Sequence, residues 1–122
     1  MILTSAVKPT EIRVSKDKKL LTVSFADGQK FEVEAELLRV RSPSAEVQGH
    51  SPDQRQLVFG KRNVGIMKIH PIGNYAIRIE FDDMHNTGIF SWEFLRELGE
   101  SRVDEWAAYE SELKEAGKKR DR

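Results

Sequence analysis

Residues 20–34 read Leu-Leu-Thr-Val-Ser-Phe-Ala-Asp-Gly-Gln-Lys-Phe-Glu-Val-Glu, and this stretch decides the fold class. Leu21, Val23 and Phe25 alternate with polar neighbours; Phe31, Val33 and Ala35 do the same, which is the period of a half-buried strand. Asp27-Gly28 between them supplies the positive φ of a tight hairpin turn at little steric cost. Upstream, Ile12 and Val14 alternate with charged residues over Glu11–Ser15, which predicts a further strand.

The hairpin recurs downstream. Val23-Ser24-Phe25-Ala26-Asp27-Gly28 leads to Phe31 and then Leu38-Arg39, and Ile79-Glu80-Phe81-Asp82-Asp83-Met84 leads to Ile89-Phe90 and then Leu95-Arg96. The phenylalanines Phe25 and Phe81 stand 56 positions apart and the arginines Arg39 and Arg96 stand 57 apart. This predicts two equivalent hairpins, each followed by a helical turn, that share one core. Ala35–Arg41 forms the first such turn. Around the second hairpin, Val64–His70 and Tyr75–Phe81 alternate as strands, with Tyr75, Ile77, Ile79 and Phe81 on one face and Pro71–Asn74 as the turn.

Ser91 is placed to cap a helix over Trp92–Leu98 that Gly99 ends, and Ser101 with Asp104 to start a second over Val103–Ala116, stopped by Gly117. Val103, Trp106, Tyr109 and Leu113 make the second helix's apolar stripe, and Trp92, Phe94 and Trp106 are assigned to the core. The expected fold is α+β: a mostly antiparallel sheet from two hairpin units, with one or two C-terminal helices. One domain spans residues 1–117, and Lys118–Arg122 is expected to be a charged disordered tail. Ser42–Asn63, rich in Pro, Gly and Ser and broken only by Leu57-Val58-Phe59, is a long loop with room for one short strand, and loops of this length carry function.

Composition narrows the chemistry. The 122 residues include no cysteine, which removes disulfides, thiolate zinc sites, cysteine-ligated iron–sulfur clusters and cysteine nucleophiles. Lys+Arg and Asp+Glu both number 20, so no net field steers the chain to nucleic acid or an anionic membrane. No apolar run reaches the ~20 residues of a membrane span, and Met1–Thr10 lacks the form of a signal peptide. The expected location is the cytoplasm.

Neither G-x-S-x-G nor a phosphate-binding G-x-x-x-x-G-K-[ST] string occurs. His50, His70 and His85 open no H-x-D or H-x-E pair, which leaves Asp82-Asp83 with His85 as a candidate metal cluster. Glu32, Glu34 and Glu36, like Glu93 and Glu97, have the spacing of solvated faces. Arg55, Lys61, Arg62 and Lys68 around Phe59 make the middle locally basic, the pattern of a weak single-stranded nucleic-acid binder.

Five segments in order carry a resemblance: Pro9-Thr10-Glu11-Ile12, Val23–Gly28, Leu37-Leu38-Arg39-Val40-Arg41-Ser42-Pro43-Ser44-Ala45, Ile72-Gly73-Asn74-Tyr75-Ala76-Ile77 and His85–Arg96. Together they resemble the gamma-butyrobetaine hydroxylase-like N-terminal domain family, a bacterial family of unknown function, over about Lys8 to Leu98. The resemblance implies the small domain that precedes an oxygenase barrel, where a structural zinc is held by C-x-C-x-x-C and a histidine of the second hairpin. Those positions fall on Ser42, Ser44, Val47 and His85. Serine is a poor zinc ligand and valine is none, so neither zinc nor iron is the expected cofactor. With its co-ligands gone, His85 is expected to be a surface or loop histidine.

Related domains are fused to ATPases that carry iron–sulfur clusters, which implies a supporting role beside metal-cofactor proteins through a protein partner. The expected function is therefore a non-catalytic accessory or interaction module. Its candidate partner-binding residues are Arg55, Phe59, Lys61, Arg62 and His85. The alternatives are a metal-binding accessory of an oxygenase and the nucleic-acid binder above.

Overall fold

A computed structural model describes residues 8–121. The first alternating segments form β1 (Pro9–Val14), β2 (Leu20–Phe25) and β3 (Lys30–Glu34), joined as an antiparallel sheet in the order β1-β2-β3. A six-residue helix α1 (Ala35–Val40) follows at once, then a one-turn helix α2 (Ala45–Gln48) and a 3-10 turn at Pro52–Gln54. A second antiparallel sheet comprises β4 (Ile66–Ile72), β5 (Ala76–Phe81) and β6 (Gly88–Ser91), in the order β4-β5-β6. Helices α3 (Trp92–Glu100) and α4 (Arg102–Ala116) complete the α+β fold.

The sequence repeat is a structural repeat. In the first turn Phe25 N–H donates to Gln29 O at 2.8 Å and Gly28 N–H to Phe25 O at 3.1 Å; in the second, Phe81 N–H donates to His85 O at 2.9 Å and Met84 N–H to Phe81 O at 3.3 Å. Met84 holds the same left-handed conformation, φ 77°, that Gly28 holds at 89°. Each helix start is tied back alike, Ala35 N–H to Lys19 O and Trp92 N–H to Tyr75 O. The units then clasp each other reciprocally. Arg39 of the first binds Asp83 of the second at 2.7 Å, and Arg96 of the second binds Asp27 of the first at 2.9 Å. Phe25 and Phe81 both lie in the one core with Leu21, Val23, Val33, Ile77, Ile79 and Phe90.

Several local expectations are corrected. Tyr75 is 56% exposed, because β5 begins only at Ala76 and Tyr75 still belongs to the turn. β4 runs through Pro71, where a turn was expected; an edge strand tolerates the missing N–H. Leu57–Phe59 forms no strand: Leu57 and Val58 pack on the core, and Val58 O accepts the Tyr109 hydroxyl at 3.1 Å. Val103 is 72% exposed, since α4 meets the core only from Trp106 onward through Tyr109 and Leu113. Ser91 caps α3 as expected, accepting from Phe94 N–H. Ser101 does not cap α4; its hydroxyl donates to Glu97 O at 2.7 Å and closes α3 instead. Gly99 does not end α3, which continues to Glu100; a β-carbon there would collide with the Phe31 ring.

The C-terminal end is not a disordered tail. Gly60 and Arg62 N–H groups donate to Lys119 O and Arg120 O at 3.1 Å each, and the Arg120 guanidinium grips both oxygens of the buried Glu36 carboxylate. Arg122 lies outside the described residues.

Candidate functional site

Where α1 ends, Arg41-Ser42-Pro43-Ser44 turns the chain back so that Ser44 caps α2, its hydroxyl accepting from Glu46 N–H at 3.1 Å. That turn lies against the second hairpin. Ser42 Oγ is 2.9 Å from His85 Nε2, Glu46 Oε1 is 2.9 Å from His85 Nδ1, and Ser44 Oγ is 2.6 Å from Thr87 Oγ1. The fold thus brings Ser42 and Ser44 to the His85 turn, with Val47 buried in the one-turn helix that follows them. The expectation of an exposed His85 is overturned: it is 4% exposed, because α2 covers the turn that sequence periodicity left open.

One proton arrangement satisfies the cluster. Nδ1–H donates to the Glu46 carboxylate, Nε2 accepts from the Ser42 hydroxyl, and Ser42 Oγ accepts from Ser44 N–H at 3.3 Å. Burial pushes the His85 imidazole below its ordinary value, as does the Arg39 charge; Glu46 and Asp83 oppose this without reversing it. For Asp83, burial would raise the carboxyl, but the hydrogen bonds from Lys61 and Arg39 outweigh it and hold the group below the usual carboxylate range.

Serine, histidine and carboxylate stand here in the order of a hydrolytic triad. The chemistry is closed to them. Ser42 is 0% exposed, and the backbone of Gly88 packs on its hydroxyl so closely that a β-carbon there would collide with it. No carbonyl carbon has a path to the oxygen. Nor do the residues fit zinc: both hydroxyls are engaged, Val47 is a buried hydrocarbon, and no group of three or more His, Asp or Glu among the described residues is arranged for a metal. Of the Asp82-Asp83-His85 candidate, Asp83 is claimed by Arg39 and by Lys61 at 2.6 Å.

Three of the four basic residues of the middle segment are spent internally. Arg55 pairs with Glu112 at 3.1 Å, Lys61 with Asp83, and Arg62 with Asp121. Phe59 is 46% exposed with the Lys118 ammonium 4.8 Å above its ring. His70 lies 3.6 Å from Glu80, and Lys68 enters no ion pair among the described residues. Sequence reasoning missed the Arg39–Asp83 and Arg96–Asp27 clasps, although the repeated Leu-Arg and Asp positions were its visible signal. It also missed Arg41, which α4 holds through Glu105 at 2.8 Å and Glu112 at 3.1 Å. No helix of the described residues is long and apolar enough to cross a membrane.

The same architecture occurs in solved structures. A protein structure determined by solution NMR is 44% identical, with a TM-score of 0.80, covering 93% of this chain and 90% of its own. A second solution NMR structure is 43% identical, with a TM-score of 0.82 and coverage of 98% and 90%. A crystal structure of a protein of unknown function from Acidithiobacillus ferrooxidans, assigned to the DUF971 family, is 39% identical, with a TM-score of 0.63, over 75% of this chain and 92% of that one. No curated protein matches the chain. Residues 12–96, which hold both hairpins, both Leu-Arg elements and the Ser42–His85 contact, match the family described as gamma-butyrobetaine hydroxylase-like, N-terminal, and the chain belongs to that family.

Proposed function

We propose that this domain is a non-catalytic accessory module that acts by binding another protein. The observation that carries the reading is the sealed Ser42: the chain's most enzyme-like constellation, Ser42–His85–Glu46, is buried as a brace between α2 and the second hairpin. What reaches solvent instead is apolar surface, with Met67 57%, Ile89 45% and Met84 87% exposed. Of these, Met67 borders an apolar groove with Ile12, Val14 and Ile69, and exposed apolar surface of that kind is a mark of an interaction site. Family membership fits an accessory role beside metal-cofactor proteins, with the metal held by the partner, in keeping with the described residues, which bring no three His, Asp or Glu side chains together.

Size-exclusion of the endogenous chain from its native lysate tests this. The expected outcome is co-elution with one other protein at a fixed stoichiometry. Labelling of Ser42 by a fluorophosphonate together with ester turnover, or elution of the chain alone, overturns it.

A further inference from the structure

β1 and β4 are both edge strands, each bonded to a neighbour on one side only. They border a common groove of about 460 Å³ floored by Ile77 and Trp92. Ile12, Val14 and Ile69 form its half-buried walls, and Met67 stands at its rim. Among the described residues a single backbone bond crosses the seam, Ile66 N–H to Lys18 O at 2.8 Å. Among the described residues neither strand has a neighbour on its other edge.

Lys18 and Lys68 line the same groove, and neither enters an ion pair among the described residues; Glu80, across the β4–β5 ladder from Lys68, lies 3.6 Å from His70 instead. Two free ammonium groups beside an apolar channel repel a second basic edge and attract a carboxylate. The bulges in β1 and at Met67, together with Pro71, restrict which strand can pair there.

We infer that the β1–β4 seam is the docking site for an extended apolar segment of a partner protein that carries a carboxylate to Lys18 and Lys68. Main-chain bonds to the strand edges supply affinity, alternate apolar side chains enter the groove, and the two lysines set register and sign of charge. This rests on the module reading and names its surface.

The test is panning of the purified full chain against a phage-displayed random 12-residue peptide library. Enriched peptides are expected to alternate apolar residues and carry Asp or Glu. Their amide shifts on the labelled protein should centre on Ile12–Val14 and Ile66–Ile72. Lys68→Glu is expected to weaken binding at least tenfold, Met67→Asp likewise, and peptides with the acid replaced by Lys should recover affinity for Lys68→Glu. Both positions are exposed, and the amide spectrum of each variant checks its fold.

No convergence, or peptides indifferent to both substitutions, overturns the inference. So does a chain that dimerises through the seam, or one that binds peptide only after residues 1–7 are removed. If the native complex persists with Lys68→Glu, the seam is wrong and the module reading stands; if no complex exists, the module reading itself has failed.

Discussion

His85 shows how a single side chain changes meaning with burial. Its neutral form satisfies every hydrogen bond of the cluster, whereas a second ring proton would point a donor at the Ser42 hydroxyl and leave that hydroxyl's own proton without an acceptor. The groups that face it are Glu46 from α2, Arg39 from α1 and Asp83 from its own turn. Because the folded-state value is lowered from 6.5, the unfolded chain binds the proton more readily. The stability that the neutral ring contributes is complete above 6.5, falls as pH drops below it, and levels off beneath the folded-state value. Melting temperature followed against pH should therefore decline just below 6.5. In His85→Gln, which installs the side chain that Gln29 carries at the equivalent turn position, that part of the decline should vanish.

At the scale of elements, the two clasps are equivalent in sequence and unequal in environment. Arg39 and Asp83 have side chains 13% and 17% exposed, while Arg96 and Asp27 are 23% and 47% exposed. Removing one partner of a largely buried pair strands the other, so Arg39→Met should cost about 2 kcal/mol in chemical denaturation, tempered by Lys61, which still serves Asp83. Arg96→Met should cost clearly less, since water replaces it. The α2 turn permits a second measurement. The changes Ser42→Cys, Ser44→Cys and Val47→Cys, made together, test whether that turn can present three thiolates to the His85 imidazole, a set that satisfies tetrahedral zinc. One zinc per chain and a raised melting temperature are expected, and adding His85→Ala should weaken both. Absence of zinc uptake would reject the equivalence of these positions to a metal site.

For the molecule as a whole, the C-terminal end acts as a strap. Glu36 has a side chain 5% exposed, and Arg120 holds both its oxygens. Ending the chain at Gly117 strands that carboxylate, which should lower stability by roughly 3 kcal/mol. Glu36→Met in the shortened chain should restore most of the loss, because an apolar side chain of similar length needs no partner. Unchanged stability of the shortened chain would show that the strap carries no energy. The shared core makes a parallel demand: Phe25→Ala and Phe81→Ala, at 4% and 0% exposure, should each cost about 3–5 kcal/mol.

Local chemistry settles what neighbouring residues settle between themselves. The hairpin at Asp27-Gly28, its copy at Asp82-Asp83-Met84, the Ser91 cap and the Gly117 stop were legible because each depends on backbone geometry within a few residues. The α+β class followed from the alternation of those strands with the two C-terminal helical patterns. The pairing of Arg39 with Asp83, the burial of His85 under α2 and the grip of Arg120 on Glu36 span 44, 39 and 84 residues of chain. No local period encodes such contacts. The seam between β1 and β4 is likewise a product of how two sheets come together, since each strand's own alternation says which face is apolar but not which edge remains free.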